Sequence, residues 1–299
     1  MEGVSGAQLI LGLVLGVAVL VFLVLKTKIH AFPALIIGGA ITGLVGGMSP
    51  VLVGKTITTG FGNTLGSIGI IIGFGVMMGR LLEVSGAAER MALTFLRLFG
   101  KNKEEWAMAL TGYMVSIPIF CDSGFVILSP LAKALSRRTG KSVITIGVAL
   151  AIGLVATHHA VPPTPGPLAV AGIFKVDVGL MILWGLIFAV PVVVSGVLYA
   201  RWLGRRIYQL PDEAGLGWIR KDFKAAAAGK NTGASEIAAT AEITKDLPSA
   251  AISFAPIILP IVLILFNTVL TAMKVESVWA QYLIFLGNPV VAVAIGLII

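Results

Sequence analysis

Residues 9–25 form a stretch of seventeen without a charge, close to the ~20 that a helix needs to cross a ~30 Å hydrocarbon layer. Apolar runs recur at 32–48, 65–82, 178–200 and 253–271, and a last one starts near Pro289 and reaches Ile299. One rule then governs the fold. Lipid offers no partner to a peptide N–H or C=O, so each crossing segment must satisfy its own backbone, as a helix does. Composition agrees with an all-α integral membrane protein. Hydrophobic residues make up 57% of the 299 and charged ones 12%, against about 45–50% and about 25% in soluble domains. No Lys or Arg precedes Lys26, whereas a signal peptide opens on a basic stretch, so the first run reads as a retained span. The single cysteine, Cys121, excludes an internal disulfide.

Two segments break the rule. In 106–131 the apolar run is interrupted by FCDSG, and in 143–174 by HHAVPPTPGP. The pieces of the first, about fifteen residues and fewer than ten, are each too short to span. Suppose that the first is a re-entrant hairpin, leaving on the side where it entered, and the second a single broken helix. Then 19 of the 22 Lys and Arg fall on one side, and only Lys55, Lys175 and Lys274 on the other. This is the asymmetry of cytoplasmic loops. A straight crossing by 106–131 would put the basic residues of 133–141 on the wrong side. The N-terminus is thus expected outside and the loop 201–248 in the cytoplasm. The net charge of +8 reflects this orientation and implies no nucleic-acid partner.

The expected organisation has three parts. Residues 1–200 form a first transmembrane repeat, with its hairpin at 106–131 and its broken helix at 143–174. Residues 201–248, polar and containing AAAAGKNTGAS and EIAATAEIT, form a cytoplasmic linker. Residues 249–299 begin a second repeat. FPALIIGGAI, from Phe32, is similar to NPVVAVAIGL, from Asn288, and the second copy would run in the opposite direction. Inverted repeats of this kind build many secondary transporters. On this reading the chain stops early in its second half.

Irregular backbone at membrane depth persists only where protein or a wet cavity satisfies it. Two breaks in one unit therefore imply a shared polar cavity. At the first, Asp122 or Ser123 is placed to cap the helix that leaves, while a carboxylate at such depth also points to an ion or solute path. Pro118 ends or kinks the incoming helix. Cys121 reads as a small packing residue. At the second break, Thr164 before Pro165 fits an N-cap with proline at the first helical position, and Gly166 allows close backbone approach. Helix N-termini at Ser123 and Thr164, each with unpaired amides and about half a positive charge, would bind an anion between them. Adjacent His158 and His159 point about 100° apart on a helix, so no metal site is expected. One should fix the break by hydrogen bonding and the other titrate near neutrality and move protons. The pairs Gly62–Gly66 and Gly75–Gly79 read as close helix packing. Asn63 and Thr64 either cap a helix or line an access route.

SIPIFCDSGFVILSPLAKALSRRTG, HHAVPPTPGPLAVAGIFKVDVG and GFGNTLGSIGIIIGFGVMMGRLLEVSGAAE together resemble the gluconate permease (GntP) family of bacterial proton symporters, which take up gluconate, related sugar or hydroxy acids and, in one branch, D-serine. The resemblance implies a multi-pass protein of the bacterial inner membrane, with inverted repeats, re-entrant hairpins, elevator-type movement and often dimers. It implies that Ser123 and Thr164, with Gly124, Pro163, Pro165 and Gly166, form half of a substrate site. Asp122 is the implied proton carrier, and His158 can assist. The sequence departs from the family at Thr164, where histidine is frequent, and at Cys121, where an aromatic residue is common. Members are about half as long again, as a truncated second repeat requires. The expected partners are a small organic acid, membrane lipid and a second copy in a homodimer; no cofactor is implied. Two other readings stay open. One is a sodium-coupled carboxylate carrier of the same fold. The other is an intramembrane hydrolase with Ser123 or Cys121 attacking and His158 as base, although no G-x-S-x-G elbow is present.

Overall fold

A computed structural model describes residues 5–299 except 101, 212–217, 221–246 and 276. The chain divides into two compact units, Met1–Ser67 and Ile68–Ile299. Helix α3 (Pro50–Val84) passes from the first into the second.

In the first unit, α1 (Gly6–Lys26) starts at Ser5, whose hydroxyl accepts from the Gln8 N–H. Helix α2 (Ala31–Val45) starts at His30, whose Nδ1 accepts from the Phe32 N–H. It stops short of the expected residue 48 because Gly47 adopts a left-handed conformation, φ 87°, which a helix cannot continue. Helices α1 and α2 meet backbone to backbone: a Cβ on Gly12 would lie 2.8 Å from the Thr42 carbonyl, and one on Gly38 3.0 Å from the Gly16 carbonyl. Lipid supplies no hydrophobic drive between helices, so small residues that allow such approach hold them together.

The second unit contains the rest of α3, then α4 (Ala87–Phe99), α5 (Glu104–Val115), α6 (Cys121–Thr139), α7 (Val143–Ala160), α8 (Pro165–Phe174) and α9 (Val178–Arg206). A short antiparallel pair follows, β1 (Gln209–Pro211) with β2 (Trp218–Arg220), Leu210 opposite Ile219. The chain resumes in α10 (Ala250–Ala272), α11 (Val278–Leu286) and α12 (Pro289–Ile298). Among the described residues, four helical stretches are long and apolar enough to cross a bilayer: α1, α7 with α8, α9 and α10. This is a multi-pass membrane protein. Helices α11 and α12 are bent by 65° at their junction.

Helix α7 is the centre of the second unit; Ile146, Ala149, Leu150 and Leu154 are fully buried. On one side α5 crosses it through Gly112, whose Cβ would fall 2.6 Å from the Leu150 carbonyl, and Gly153, which faces the Ala109 carbonyl. On the other side α9 runs antiparallel to it, with Gly185 against Ala160, Gly196 against Ile152 and Gly204 against Thr145. Within α6, Pro130 has no N–H for the Val126 carbonyl, and the Ser129 hydroxyl donates to that carbonyl at 3.0 Å.

The ends of α5 and α6 are clasped. Lys141 Nζ lies 2.7 Å from the Asn102 carbonyl, 2.7 Å from Glu104 and 2.5 Å from Glu105. Arg201 of α9 reaches the other Glu105 oxygen at 2.6 and 2.7 Å. The chain thus leaves α6 beside the point where it began α5, and both arms are pinned to α9. Past residue 200, the expected end of its span, α9 continues to Arg206 before the β pair. Residues 247 and 248, just before α10, are held to α4, where Arg90 donates to the Leu247 and Pro248 carbonyls. The runs AAAAGKNTGAS and EIAATAEIT lie outside the described residues.

Glu105 is 2% exposed. Burial acts to raise its pKa, but hydrogen bonds from Lys141, its own backbone and Arg201 outweigh that and hold the carboxyl below its usual value. Removing one partner of a buried pair costs about 3–5 kcal/mol. Glu105→Ala should cost about 3, the low end, because Lys141 and Arg201 keep some contact with water. Unfolding in detergent measures it. Because the folded pKa is depressed, the stabilisation is complete above the ordinary carboxylate value of about 4.3 and fades as pH falls through the folded value. The Glu105→Gln variant should show a smaller acid-induced loss of Tm than the parent.

Candidate functional site

The first break is Ser116–Ile117–Pro118–Ile119–Phe120, four residues earlier than the FCDSG expected from sequence. Helix α5 ends at Val115, and the Ser116 hydroxyl donates to the Ile119 carbonyl at 3.2 Å. Phe120 occupies the N-cap position of α6, and no side chain caps it. Asp122 and Ser123 are therefore not caps; they lie in the first helical turn. The physical reason is Pro118, which disfavours helix in the residue before it and so ends α5 early. The amides of Cys121, Asp122 and Ser123 have no carbonyl within the helix. Asp122 is exposed, Ser123 half-buried and Gly124 buried, where a Cβ would lie 2.8 Å from Leu154.

The second break, 161–164, falls where expected, with Thr164 at the N-cap of α8 and Pro165 at its first position. The side chain acts differently from the expectation. Thr164 Oγ1 lies 2.8 Å from both the His158 and the Val161 carbonyls, so its hydroxyl donates to the frayed end of α7 and caps no amide of α8. Proline at 165 and 167 has no N–H, and the Leu168 N–H donates to the Thr164 carbonyl. Of the first turn of α8 only the Gly166 amide remains to face a ligand. The two helix ends are thus unequal: three amides at α6, one at α8.

The breaks meet. The Phe120 and His158 rings are 5.5 Å apart, and Pro118, Phe120, Pro163, Thr164 and Pro165 line one cleft with Ile72, Gly75 and Val76 of α3. Gly75 and Gly79 let α3 press on both. A Cβ on Gly75 would be 3.3 Å from Pro163, and one on Gly79 2.5 Å from the Pro118 carbonyl. Gly62 and Gly66 have open space where a Cβ would go, so the packing role expected of that pair does not hold. Behind the cleft is a small apolar cavity bounded by Ile71, Met78, Ile117, Pro162, Ile182 and Pro260, among others.

The His158 ring lies tilted by 56° against Phe120 and meets His159 edge-on at 5.3 Å; its Nδ1 is buried without a hydrogen-bond partner among the described residues. The His159 Nδ1 is 3.0 Å from the Val155 carbonyl of its own helix. Neither imidazole ties the break; the Thr164 hydroxyl does. Cys121 Sγ is 3.8 Å from Asp122. Among the described residues no group of three or more His, Cys, Asp or Glu could hold a metal ion. Asn63 and Thr64 are exposed on the part of α3 that belongs to the first unit. Sequence reasoning missed Phe120 and Ile72.

Residues 8–299 match the GntP family permease. An uncharacterized permease of Haemophilus influenzae is 50% identical over 296 residues, 97% of this chain and 58% of that protein. A gluconate permease of Pseudomonas aeruginosa is 35% identical over 98% of this chain and 61% of its own length. The Gnt-II system L-idonate transporter of Escherichia coli is 33% identical over 95% and 60%. The chain thus spans about three-fifths of the length of these relatives. No solved structure matches. These relatives are named as permeases and transporters.

The glycine geometry gives opposite signs for one substitution at two positions. Gly79→Ala should destabilise by about 1–3 kcal/mol, since the methyl group meets backbone that must move, whereas Gly62→Ala, in open space, should be neutral or gain up to about 1 kcal/mol. Thermal unfolding in detergent reads both. Maleimide labelling of Cys121, the single thiol, should quicken in the Gly79 variant only.

Proposed function

The chain belongs to the GntP permease family, and from that premise we propose that it serves secondary transport of a small organic anion, a gluconate-like sugar or hydroxy acid, coupled to protons. The observation that carries this reading is the meeting of the two helix breaks in one cleft, with Phe120 against His158 at 5.5 Å. On this reading the amides of Cys121, Asp122 and Ser123 receive the substrate carboxylate, and Gly166 adds the single amide of α8, with Gly124, Pro163 and Pro165 shaping the walls. Thr164 holds the break in place by its bonds to the α7 carbonyls. The Asp122 carboxylate occupies the same field as the arriving anion. Ionised, it repels that anion; a proton taken up on Asp122 removes the repulsion, so binding of anion and proton are coupled. His158, beside Phe120, is the second candidate for passing the proton.

The same reading makes α5 and α6 a re-entrant hairpin and α7 with α8 one broken crossing. Residues 1–200 are then a first repeat, 201–248 a cytoplasmic linker, and 249–299 the start of an inverted second repeat, in a bacterial inner membrane with the N-terminus outside. The Ser5 and Ser249 caps of α1 and α10 and the likeness of the stretches from Phe32 and from Asn288 favour the repeat. A homodimer is the assembly to look for.

Proteoliposomes given labelled gluconate, with and without a pH gradient, test the proposal. Uphill accumulation should follow the inward proton gradient and persist when sodium is replaced by choline; dependence on sodium would transfer the coupling to that ion. Asp122→Asn should abolish accumulation and keep exchange of internal for external substrate. Undiminished accumulation by that variant would remove Asp122 from coupling. Thr164→Ala should raise the apparent Km and also lower Tm, because the hydroxyl holds the break.

A further inference from the structure

We propose that the clasped end of α6 and α9 is a binding site for anionic phospholipid headgroups. Along α9, exposed Trp184 and Trp202 are eighteen residues apart, about 27 Å of helix, which matches a ~30 Å hydrocarbon core. Each is paired with another ring, Trp184 with Phe188 and Tyr199 with Trp202, both at 5.6 Å. Amphipathic rings at this spacing mark the two membrane–water boundaries. Arg205 and Arg206 lie three and four residues past Trp202, about 5–6 Å further along the axis, at the depth of lipid phosphates. Arg206 stacks on the Trp202 ring at 4.6 Å, which holds its guanidinium at that boundary.

A second pair of arginines is brought to the same end. Arg137 and Arg138, exposed in the last turn of α6, are tied to the end of α9. The Tyr208 hydroxyl donates to the Gly140 carbonyl at 2.5 Å, and the Ser142 hydroxyl to the Ile207 carbonyl at 3.0 Å. Among the described residues the nearby carboxylates, Glu104 and Glu105, are buried and already neutralised by Lys141 and Arg201. Arg137, Arg138, Arg205 and Arg206 have no ion pair among the described residues. Four guanidinium groups at phosphate depth, each able to take a phosphate through two parallel N–H donors, fit an anionic lipid better than a dissolved anion, because the rings beside them require the apolar boundary.

The test is thermal unfolding of the purified protein in neutral detergent, with added phosphatidylglycerol, phosphatidylcholine or inorganic phosphate. Phosphatidylglycerol should raise Tm, phosphatidylcholine and phosphate should not, and the shift should shrink as salt is added. Replacing all four arginines by glutamine should leave the lipid-free Tm near that of the parent and remove the shift. Single replacements should weaken lipid binding roughly fivefold each. An equal shift with phosphatidylcholine, or one retained by the fourfold variant, overturns the proposal. So does a large fall in the lipid-free Tm of that variant, since the arginines would then be paired within the chain.

Discussion

Peptide groups that find no water must find protein, and everything distinctive about this chain follows from how it meets that demand at two places. A continuous helix would satisfy its own backbone. The segments around Pro118 and around Pro162–Pro163 cannot, because proline removes donors and bars the preceding residue from helix. The stray carbonyls are taken up locally, by the Ser116 hydroxyl at one break and the Thr164 hydroxyl at the other. The breaks are then covered by α3, which comes close only because residues 75 and 79 have no side chain. What remains unsatisfied is a set of amides at the start of α6 and one at α8. These left-over amides are the groups on which the proposed anion site rests.

Charge is handled at the other end of the same elements. The carboxylate of Glu105 is sunk between Lys141 and Arg201, where it joins α5, the exit of α6 and α9. Such a cluster is a weak source of net stability compared with an apolar replacement, but it fixes which elements meet. It decides that α5 and α6 double back, and so that the first break points into the unit with both of its arms anchored behind it.

Close packing of α5, α7 and α9 rests on glycine in the same way. Gly112, Gly153, Gly185, Gly196 and Gly204 face carbonyls or side chains of their neighbours so closely that a methyl group could not be added. Helices locked this tightly form a rigid frame. The breaks, α8 and the first turn of α6 are packed less closely, and Asp122, Gly166 and Phe120 keep exposure there.

The linear chain by itself determined the membrane class, the identity of both interruptions and the N-cap position of Thr164. Hydropathy, proline and charge act over a few neighbouring residues, so they are legible without a fold. It misplaced the first break by four residues and offered Asp122 or Ser123 as a cap, because a proline's effect on the residues before it competes with the capping preference of those after it, and the backbone must settle which wins. It gave Gly62–Gly66 and Gly75–Gly79 equal weight, though only the second pair packs against anything. Tertiary structure alone decided that Thr164 bonds backward to α7, that Phe120 meets His158, and that Lys141 returns to Glu104 and Glu105. Those contacts join residues 6 to 38 places apart in sequence, and no local preference encodes which distant partner a side chain will reach.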